Sequence, residues 1–212
     1  MKQLAKNFDV AFPGVASTIF NGSCKVEEPD NLKKGKGFQQ IEFTGIDGIS
    51  FPHELASKTS SFASIAQHKG ILSLDCDGII LFEKNGQKYM IFCELKSTFS
   101  TQEIAKAKDQ VIGSYVKMKG LFSTLQGYDD YKPVGIIVSF EPTQEQLNAI
   151  SKLENPTSSF AITLNSKKTY HMPASKCDIF FHPFAVGNFD IYYIGVPGLQ
   201  QTYSIDLNSI IK

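Results

Sequence analysis

The sequence predicts an α/β protein with a central mixed β-sheet flanked by helices. Two apolar segments, residues 70–82 and 88–97, are separated by Asn85-Gly86, a dipeptide typical of a two-residue β-hairpin turn. A helical pattern precedes this hairpin, and an S-x-x-E capping box beginning at Ser100 opens another helix directly after it. Helices and strands that alternate in this way fold around one shared sheet.

The other elements are assigned from hydrophobic periodicity and from turn and capping signals. Within the first 50 residues only 38–44 alternates like a strand, and 31–37 is predicted to be a polar loop. The remaining predictions are a helix at 52–68 with Pro52 at its start, a helix at 100–120, a strand at 133–140, a helix at 143–153, and strands at 160–164, 177–181 and 189–196.

The length of 212 residues suits a single domain that spans residues 1–212. We expect a core at about 52–140, an N-terminal arm at 1–50 and a strand-rich C-terminal extension at 155–212. These outer segments are elaborations of the central α/β unit. The chain shows no internal repeat or low-complexity tract that would indicate a second unit.

Composition restricts the functional classes only weakly. Lys+Arg and Asp+Glu are equal at 21 each, so the chain lacks the global positive field of many nucleic-acid binders, although an enzyme needs only a local one. The four cysteines form no CxxC pair and the histidines are scattered, which argues against zinc. No signal peptide or membrane span is predicted, so we expect a cytoplasmic protein that does not enter a membrane.

The acidic residues of the hairpin are its most informative feature. If the turn has two residues, Asp77 lies opposite Glu94 and Asp75 lies opposite Lys96, with all four side chains on one face. Alternation along a strand keeps Glu94 and Lys96 on the same face whatever the register. Asp75 points to the same side as Asp77 and could replace it as the acidic ligand of a cation.

Facing carboxylates repel unless a cation lies between them. Oxygen ligands without Cys or His suit Mg²⁺, for which Mn²⁺ can substitute, and these ions bind further through phosphate oxygens. Lys96 beside such a metal can hold or deprotonate an attacking water and neutralise charge on phosphorus. The alternative is a solvated strand with a surface salt bridge, but acids that interrupt apolar strands favour a functional site.

The sequence D-G-I-I at 77–80, followed across the hairpin by C-E-L-K-S at 93–97, resembles the PD-(D/E)xK nuclease superfamily. The order of elements over 52–140 resembles its restriction-endonuclease-like core, although no proline precedes Asp77. The resemblance implies that Asp77 and Glu94 are metal ligands, that the Leu95 carbonyl is a backbone ligand, and that Lys96 is the partner of the attacking water.

Other residues are candidates by position. Glu54 resembles the additional metal ligand on the first core helix of some families, and a solvated glutamate is the alternative. Gln110 and Tyr115 resemble a Q-x-x-x-Y signature, with one extra residue between them. Lysines set among glycines or on the capped helix could hold a nucleic-acid backbone, although ordinary solvated side chains are the interpretation that such lysines usually favour. The lysines chosen for this role are Lys33, Lys34, Lys36 and Lys106.

The resemblance implies a Mg²⁺-dependent nuclease that cleaves DNA, with restriction or phage defence as its setting and a homodimer or larger defence complex as its assembly. The rival hypothesis is a catalytically silent nucleic-acid-binding or assembly subunit that keeps the nuclease fold. Asp77, Glu94 and Lys96 favour the enzyme because a silent subunit has no need for all three.

Overall fold

The hairpin at the centre of the protein forms as its sequence predicts. In the computed structural model, which describes residues 2–52, 54–55, 58–59, 70–128, 131–182 and 184–211, the turn residues Asn85 and Gly86 have φ angles of 52° and 76°. These positive values are those of the tight turn that Asn-Gly favours. The register pairs Gly78 with Cys93 and Lys84 with Gln87, which is the predicted alignment.

The strands form two sheets. In chain order they are β1 Thr18–Phe20, β2 Ser23–Glu27, β3 Gln40–Thr44, β4 Gly48–Phe51, β5 Gly78–Lys84, β6 Gln87–Lys96, β7 Lys132–Phe140, β8 Thr169–Met172, β9 Phe189–Val196 and β10 Thr202–Asp206. The large sheet has seven strands in the order β1-β4-β5-β6-β7-β9-β8, and the small one has the order β10-β3-β2. In the large sheet β6, β7 and β9 run parallel, whereas the other pairs are antiparallel.

The helices are α1 Lys2–Ala11, α2 Pro29–Lys34, α3 Thr101–Phe122, α4 Gln144–Ser151, α5 Pro156–Lys167 and α6 Ala174–Phe180. Residues 54–55 and 58–59 are also helical, but most of the helix predicted at 52–68 lies outside the described residues. Helices α1, α3 and α5 contribute to the hydrophobic core on one face of the large sheet, and the small sheet covers the other face. The predicted mixed α/β architecture, with helices flanking a central mixed sheet, is confirmed.

Several elements match their predictions closely. Helix α3 begins after Ser100, whose hydroxyl accepts a hydrogen bond from the Glu103 amide, and α4 has the predicted capping box between Thr143 and Gln146. Strands β3, β7 and β9 correspond to the predicted segments 38–44, 133–140 and 189–196. All four cysteines are free and buried, as expected of structural thiols.

The predicted strands at 160–164 and 177–181 are wrong, because helices α5 and α6 occupy most of these residues. Asn155 caps α5 by accepting a hydrogen bond from the Ser158 amide, and Pro156 occupies its first turn. The buried residues of α5 recur at helical spacing, so burial of one helix face outweighs the β-propensity of its aromatic and branched side chains.

Three further predictions near the hairpin need correction. The polar loop at 31–37 is instead largely helix α2, which starts at Pro29 and ends at Gly35 in the left-handed conformation. The strand predicted from residue 70 begins only at Gly78, and a short 3₁₀ turn occupies Ile71–Ser73. The N-terminal segment also contains strands β1, β2 and β4, which were not predicted, because short strands carry little alternation.

Candidate active site

The site lies at the C-terminal end of β6, where charged residues follow the apolar centre of the strand. Glu94 and Lys96 are only 1% and 9% exposed, and the Lys96 ammonium lies 2.6 Å from Glu94 Oε1. The same ammonium donates a hydrogen bond of 2.9 Å to Gln110 Oε1 on α3. The Gln110 amide in turn donates to the Asp75 carbonyl at 2.7 Å. Gln110 is thereby held in position against Lys96.

Asp77 directly precedes β5 and lies beside the end of β6. Its Oδ2 accepts a hydrogen bond of 2.7 Å from the backbone amide of Leu95. Because the ladder between the strands ends at Gly78 and Cys93, this contact places Asp77 next to Glu94 along the predicted register. The hairpin turn therefore brings the two carboxylates to the same end of the sheet.

Burial dominates the electrostatics of these groups. It raises the pKa of Glu94 to about 7, against the opposing effect of the Lys96 ammonium. Burial, with the negative charges of Glu94 and Glu28, raises the pKa of Asp77 well above its usual range. Burial disfavours the charge of Lys96, but Glu94 and Glu103 raise the pKa of Lys96 above its ordinary value. Lys96 therefore stays protonated, whereas ionisation of both carboxyl groups would leave more negative charge than this one ammonium neutralises.

One buried oxygen in the cluster is unsatisfied. Glu94 Oε2 has no hydrogen-bond partner within the described residues, although its companion Oε1 is bound to Lys96. A buried carboxylate oxygen without a partner is costly. Among the described residues no three His, Cys, Asp or Glu side chains are gathered as a ready set of metal ligands. Mg²⁺ needs only one or two carboxylates besides water and phosphate, so Asp77 and Glu94 fit this ion.

Sequence reasoning missed Glu28, a third acidic residue whose charge raises the pKa of both site carboxylates. Glu28 caps α2, and its Oε1 accepts a hydrogen bond of 3.2 Å from the Asp30 amide. Two signals were present in the sequence, Pro29 at a first helical position and Gly35 at a helix end. They indicate α2, but they do not indicate that α2 lies against the hairpin.

Helix α2 and the loop after it are hydrogen-bonded to Ser97, beside the site. The Ser97 hydroxyl accepts hydrogen bonds of 3.0 Å from the Asn31 side chain and from the Phe38 amide. Gly37 has a φ of 70° and passes so close that an added Cβ would lie 2.2 Å from the Ser97 oxygen. Only glycine fits there, and the small sheet is thereby joined to the residue that follows Lys96.

A cleft of about 630 Å³ opens beside Asp77, between α2, β2 and β4. Glu54, the predicted extra metal ligand, lines this cleft together with Asp77. Lys33, predicted to contact nucleic acid, also lines it, and so does Lys25, which was not predicted. The cleft therefore combines an acidic end with two lysines from the small-sheet side.

The other candidates lie elsewhere. Asp75, the alternative to Asp77, forms an ion pair with Lys117 instead of facing Lys96 as predicted, because the chain is not yet a strand at that point. Tyr115 is buried in the core and packs against the Phe92 ring. Three of the predicted nucleic-acid lysines are exposed outside the lining of the cleft, and these are Lys34, Lys36 and Lys106.

Comparison with known proteins finds no matching family model, no matching curated protein and no matching solved structure. Within the described part of the chain, no helix is both long enough and apolar enough to cross a bilayer. The functional inference therefore depends on the geometry and chemistry of the site.

Proposed function

We propose that the protein is a Mg²⁺-dependent nuclease that hydrolyses phosphodiester bonds of DNA. The observation that carries this proposal is the buried Glu94 Oε2, which has no hydrogen-bond partner in the described part of the chain and lies near a second carboxylate, Asp77. Burial raises the pKa values of both carboxyl groups, and a bound cation would stabilise their ionised forms at neutral pH. Asp77 and Glu94 would hold Mg²⁺, with the Leu95 carbonyl and Glu54 as further proposed ligands.

The protein side chains then have distinct roles. A bound Mg²⁺ supplies Lewis-acid activation of the phosphodiester. Because its pKa is raised, Lys96 stays an ammonium and donates hydrogen bonds to the attacking water or to a phosphate oxygen, rather than accepting a proton. Gln110 orients Lys96 by accepting one of its hydrogen bonds.

The surroundings support a phosphodiester substrate. Lys33 and Lys25 line the cleft beside Asp77 and can neutralise flanking phosphates. The antiparallel run of β4, β5 and β6, followed by α3 and by β7 parallel to β6, is the arrangement that a restriction-endonuclease-like core would have. We propose this core for residues 52–140, extended at its start by β4.

The test is cleavage of plasmid, linear and single-stranded DNA and of RNA, with Mg²⁺, Mn²⁺ or EDTA. Glu94→Gln and Lys96→Ala are the site variants. Glu83→Gln and Lys88→Ala are matched controls, because they lie on the same hairpin near its turn. We expect metal-dependent DNA cleavage by the parent and both controls, and a loss in both site variants.

Cleavage that persists in EDTA or in Lys96→Ala would contradict the mechanism. If the parent cuts no substrate, the alternative of a silent nucleic-acid-binding or assembly subunit becomes the better proposal. Calorimetric titration of Mg²⁺ into the parent and Glu94→Gln separates the two cases. If Mg²⁺ binds to the parent and not to Glu94→Gln, the proposed metal site is supported even where no substrate is cut.

A further inference from the structure

A second cavity, of about 400 Å³, lies between the N-terminal part of α3, helix α5, strand β8 and helix α6. Lys108 of α3 lines it, whereas Gln110, two residues further on, contacts Lys96 in the candidate active site. Residues two apart on a helix point in nearly opposite directions. The cavity is therefore separate from the nuclease site, and its volume suits a small ligand.

The cavity has aromatic walls. Phe160 and Tyr170 both line it and meet edge to face, with their ring centroids 4.8 Å apart. Phe180, at the end of α6, also lines the cavity and is 67% exposed. An exposed aromatic ring at the mouth of a pocket is a stacking surface for a flat ligand.

The cavity is also cationic. Lys108 and Lys176 line it, and no Asp or Glu whose side chain the structure describes does. The Lys108 ammonium lies 5.8 to 6.0 Å from the ring centroids of Phe160, Phe180 and Phe181, which keep it among the aromatic groups. It also lies 3.1 Å from Asp109, which lines a neighbouring hollow.

A helix terminus adds to this positive character. Helix α5 begins at the cavity, since Pro156 and Thr157 both line it, and its first turn contains no acidic residue. Helix N-termini favour anions. Ser159 and Thr163 provide hydroxyl groups in the same lining, whereas the Thr157 hydroxyl donates to Asn155 Oδ1. Rings for stacking, two ammonium groups and two hydroxyl groups complement a ligand that is flat at one end and anionic at the other.

We propose that this cavity is a binding site for a nucleoside phosphate, with the base stacked on Phe180 and the phosphate held by Lys176 and Lys108. The same chemistry is offered by a free mononucleotide and by the phosphorylated end of a single strand. The site is independent of the proposed nuclease function, because it shares no lining residue with the active-site cleft.

The test is calorimetric titration of the intact protein in EDTA, where the proposed metal-dependent hydrolysis cannot interfere. The probes are AMP, GMP, UMP, adenosine, inorganic phosphate and a short 5′-phosphorylated oligothymidylate. The variants are Phe180→Ala and Lys176→Gln. Their matched controls are Leu199→Ala, which removes another exposed apolar side chain (82% exposed), and Lys167→Gln at the far end of α5.

We expect saturable binding of the mononucleotides, tighter than that of adenosine or phosphate alone. Phe180→Ala should weaken it roughly ten-fold or more, the usual effect of losing a stacking ring. Lys176→Gln should weaken it about five-fold, and both controls should stay within about two-fold of the parent. Tighter binding of the oligonucleotide identifies a strand end as the ligand, and tighter binding of AMP identifies a free nucleotide.

The proposal is overturned if no mononucleotide binds at millimolar concentration, or if inorganic phosphate binds as tightly as AMP. It is also overturned if Phe180→Ala and Lys176→Gln bind like their controls. Because these titrations contain no divalent metal, such a failure leaves the nuclease proposal untouched. A failure of cleavage likewise leaves this site untouched.

Discussion

Two clusters of carboxylate and cation lie at opposite ends of the parallel strands and differ in their charge balance. At the N-terminal ends of β7 and β9, Asp190 contacts Lys132 at 2.8 Å and His171 at 2.7 Å. Although burial raises it, these contacts lower the pKa of Asp190 below its usual range. At the C-terminal end of β6, Glu94 has Lys96 on one oxygen only, and its pKa rises to about 7.

The difference separates a structural ion pair from the proposed metal site. Asp190 has a cationic or hydrogen-bonding partner on each oxygen and sits near solvent, so nothing remains to be neutralised. Glu94 and Asp77 together outnumber Lys96, and Glu94 Oε2 has no partner within the described residues. The proposed Mg²⁺ would compensate this buried negative charge, and the following changes test whether it does.

The largest expected effect is on catalysis. Glu94→Gln should reduce metal-dependent DNA cleavage by roughly 10³-fold, because it removes a charged ligand and leaves the shape of the side chain intact. Lys132→Met, which breaks the other cluster, should change the rate less than about two-fold. Initial rates at saturating Mg²⁺ measure both. Equal losses would show that the two clusters do not differ in function.

Removing the lysine of each cluster should also separate them by stability. Lys96→Met should lower the free energy of unfolding by about 3 kcal/mol near pH 8, because it leaves buried Glu94 without compensation. Lys132→Met should cost less than about 1 kcal/mol, since its side chain is 43% exposed. Urea unfolding measures both values. A Glu94→Gln/Lys96→Met double variant that is no more stable than Lys96→Met would contradict this explanation.

Glu94 and Asp190 should make opposite contributions to the pH dependence of stability. The pKa of Glu94 is higher in the folded protein than in the unfolded chain, so at pH values between these two pKa values the native state binds more protons. The metal-free protein should therefore lose on the order of 2 to 3 kcal/mol, relative to Glu94→Gln, as pH rises from about 5 to 8. The pKa of Asp190 is lowered, so its contribution is present above the unfolded pKa and lost as pH falls. Unfolding in EDTA at several pH values, with Asp190→Asn as the comparison, tests both signs.

Mg²⁺ should stabilise the folded protein through Glu94 and Asp77 and not through Asp190. At about 10 mM Mg²⁺ and a millimolar Kd, mass action predicts a gain of roughly 1 kcal/mol, seen as a rise of a few degrees in Tm. Asp190→Asn should keep this gain, and Glu94→Gln should lose it. A gain that survives in Glu94→Gln would place the metal elsewhere.

The smallest expected effect concerns Glu28, which adds to the negative field of the site. Glu28→Gln should move the Glu94 transition in the stability profile to lower pH, because one like charge is removed. Glu27→Gln is the matched control, because the adjacent Glu27 carboxylate is not among the main charges that raise the pKa of Glu94. Identical midpoints in both variants would show that Glu28 does not act on the site.

The centre of the fold was predictable because its signals are local. Asn85-Gly86 determines the turn, the turn determines the register, and alternation along β6 places Glu94 and Lys96 together. Gln110 was a candidate through its resemblance to a Q-x-x-x-Y signature, and its contact with Lys96 follows from the way α3 packs on β6. The roles of these residues in metal binding and catalysis stay predictions.

The parts that could not be predicted depend on contacts between distant segments. Glu28 reaches the site only because the small sheet packs on the hairpin, and no local pattern encodes that packing. At 160–164, composition favoured a strand, while the Asn155-Pro156 start signal favoured a helix, and the helix formed because it buries Phe160 and Leu164. At this segment the capping signal outweighs the β-propensity of the residues that follow it.

The Ser97 contacts also imply an order of assembly. The β5–β6 hairpin closes over a two-residue turn, so its pairing costs little loop entropy and can form early. Asn31 and Phe38 reach the Ser97 hydroxyl across a much longer stretch of chain, together with the acidic cap of α2. We therefore expect the proposed metal ligands to be aligned before the cleft wall closes over them, so that the proposed substrate-binding surface is the last part of the site to form.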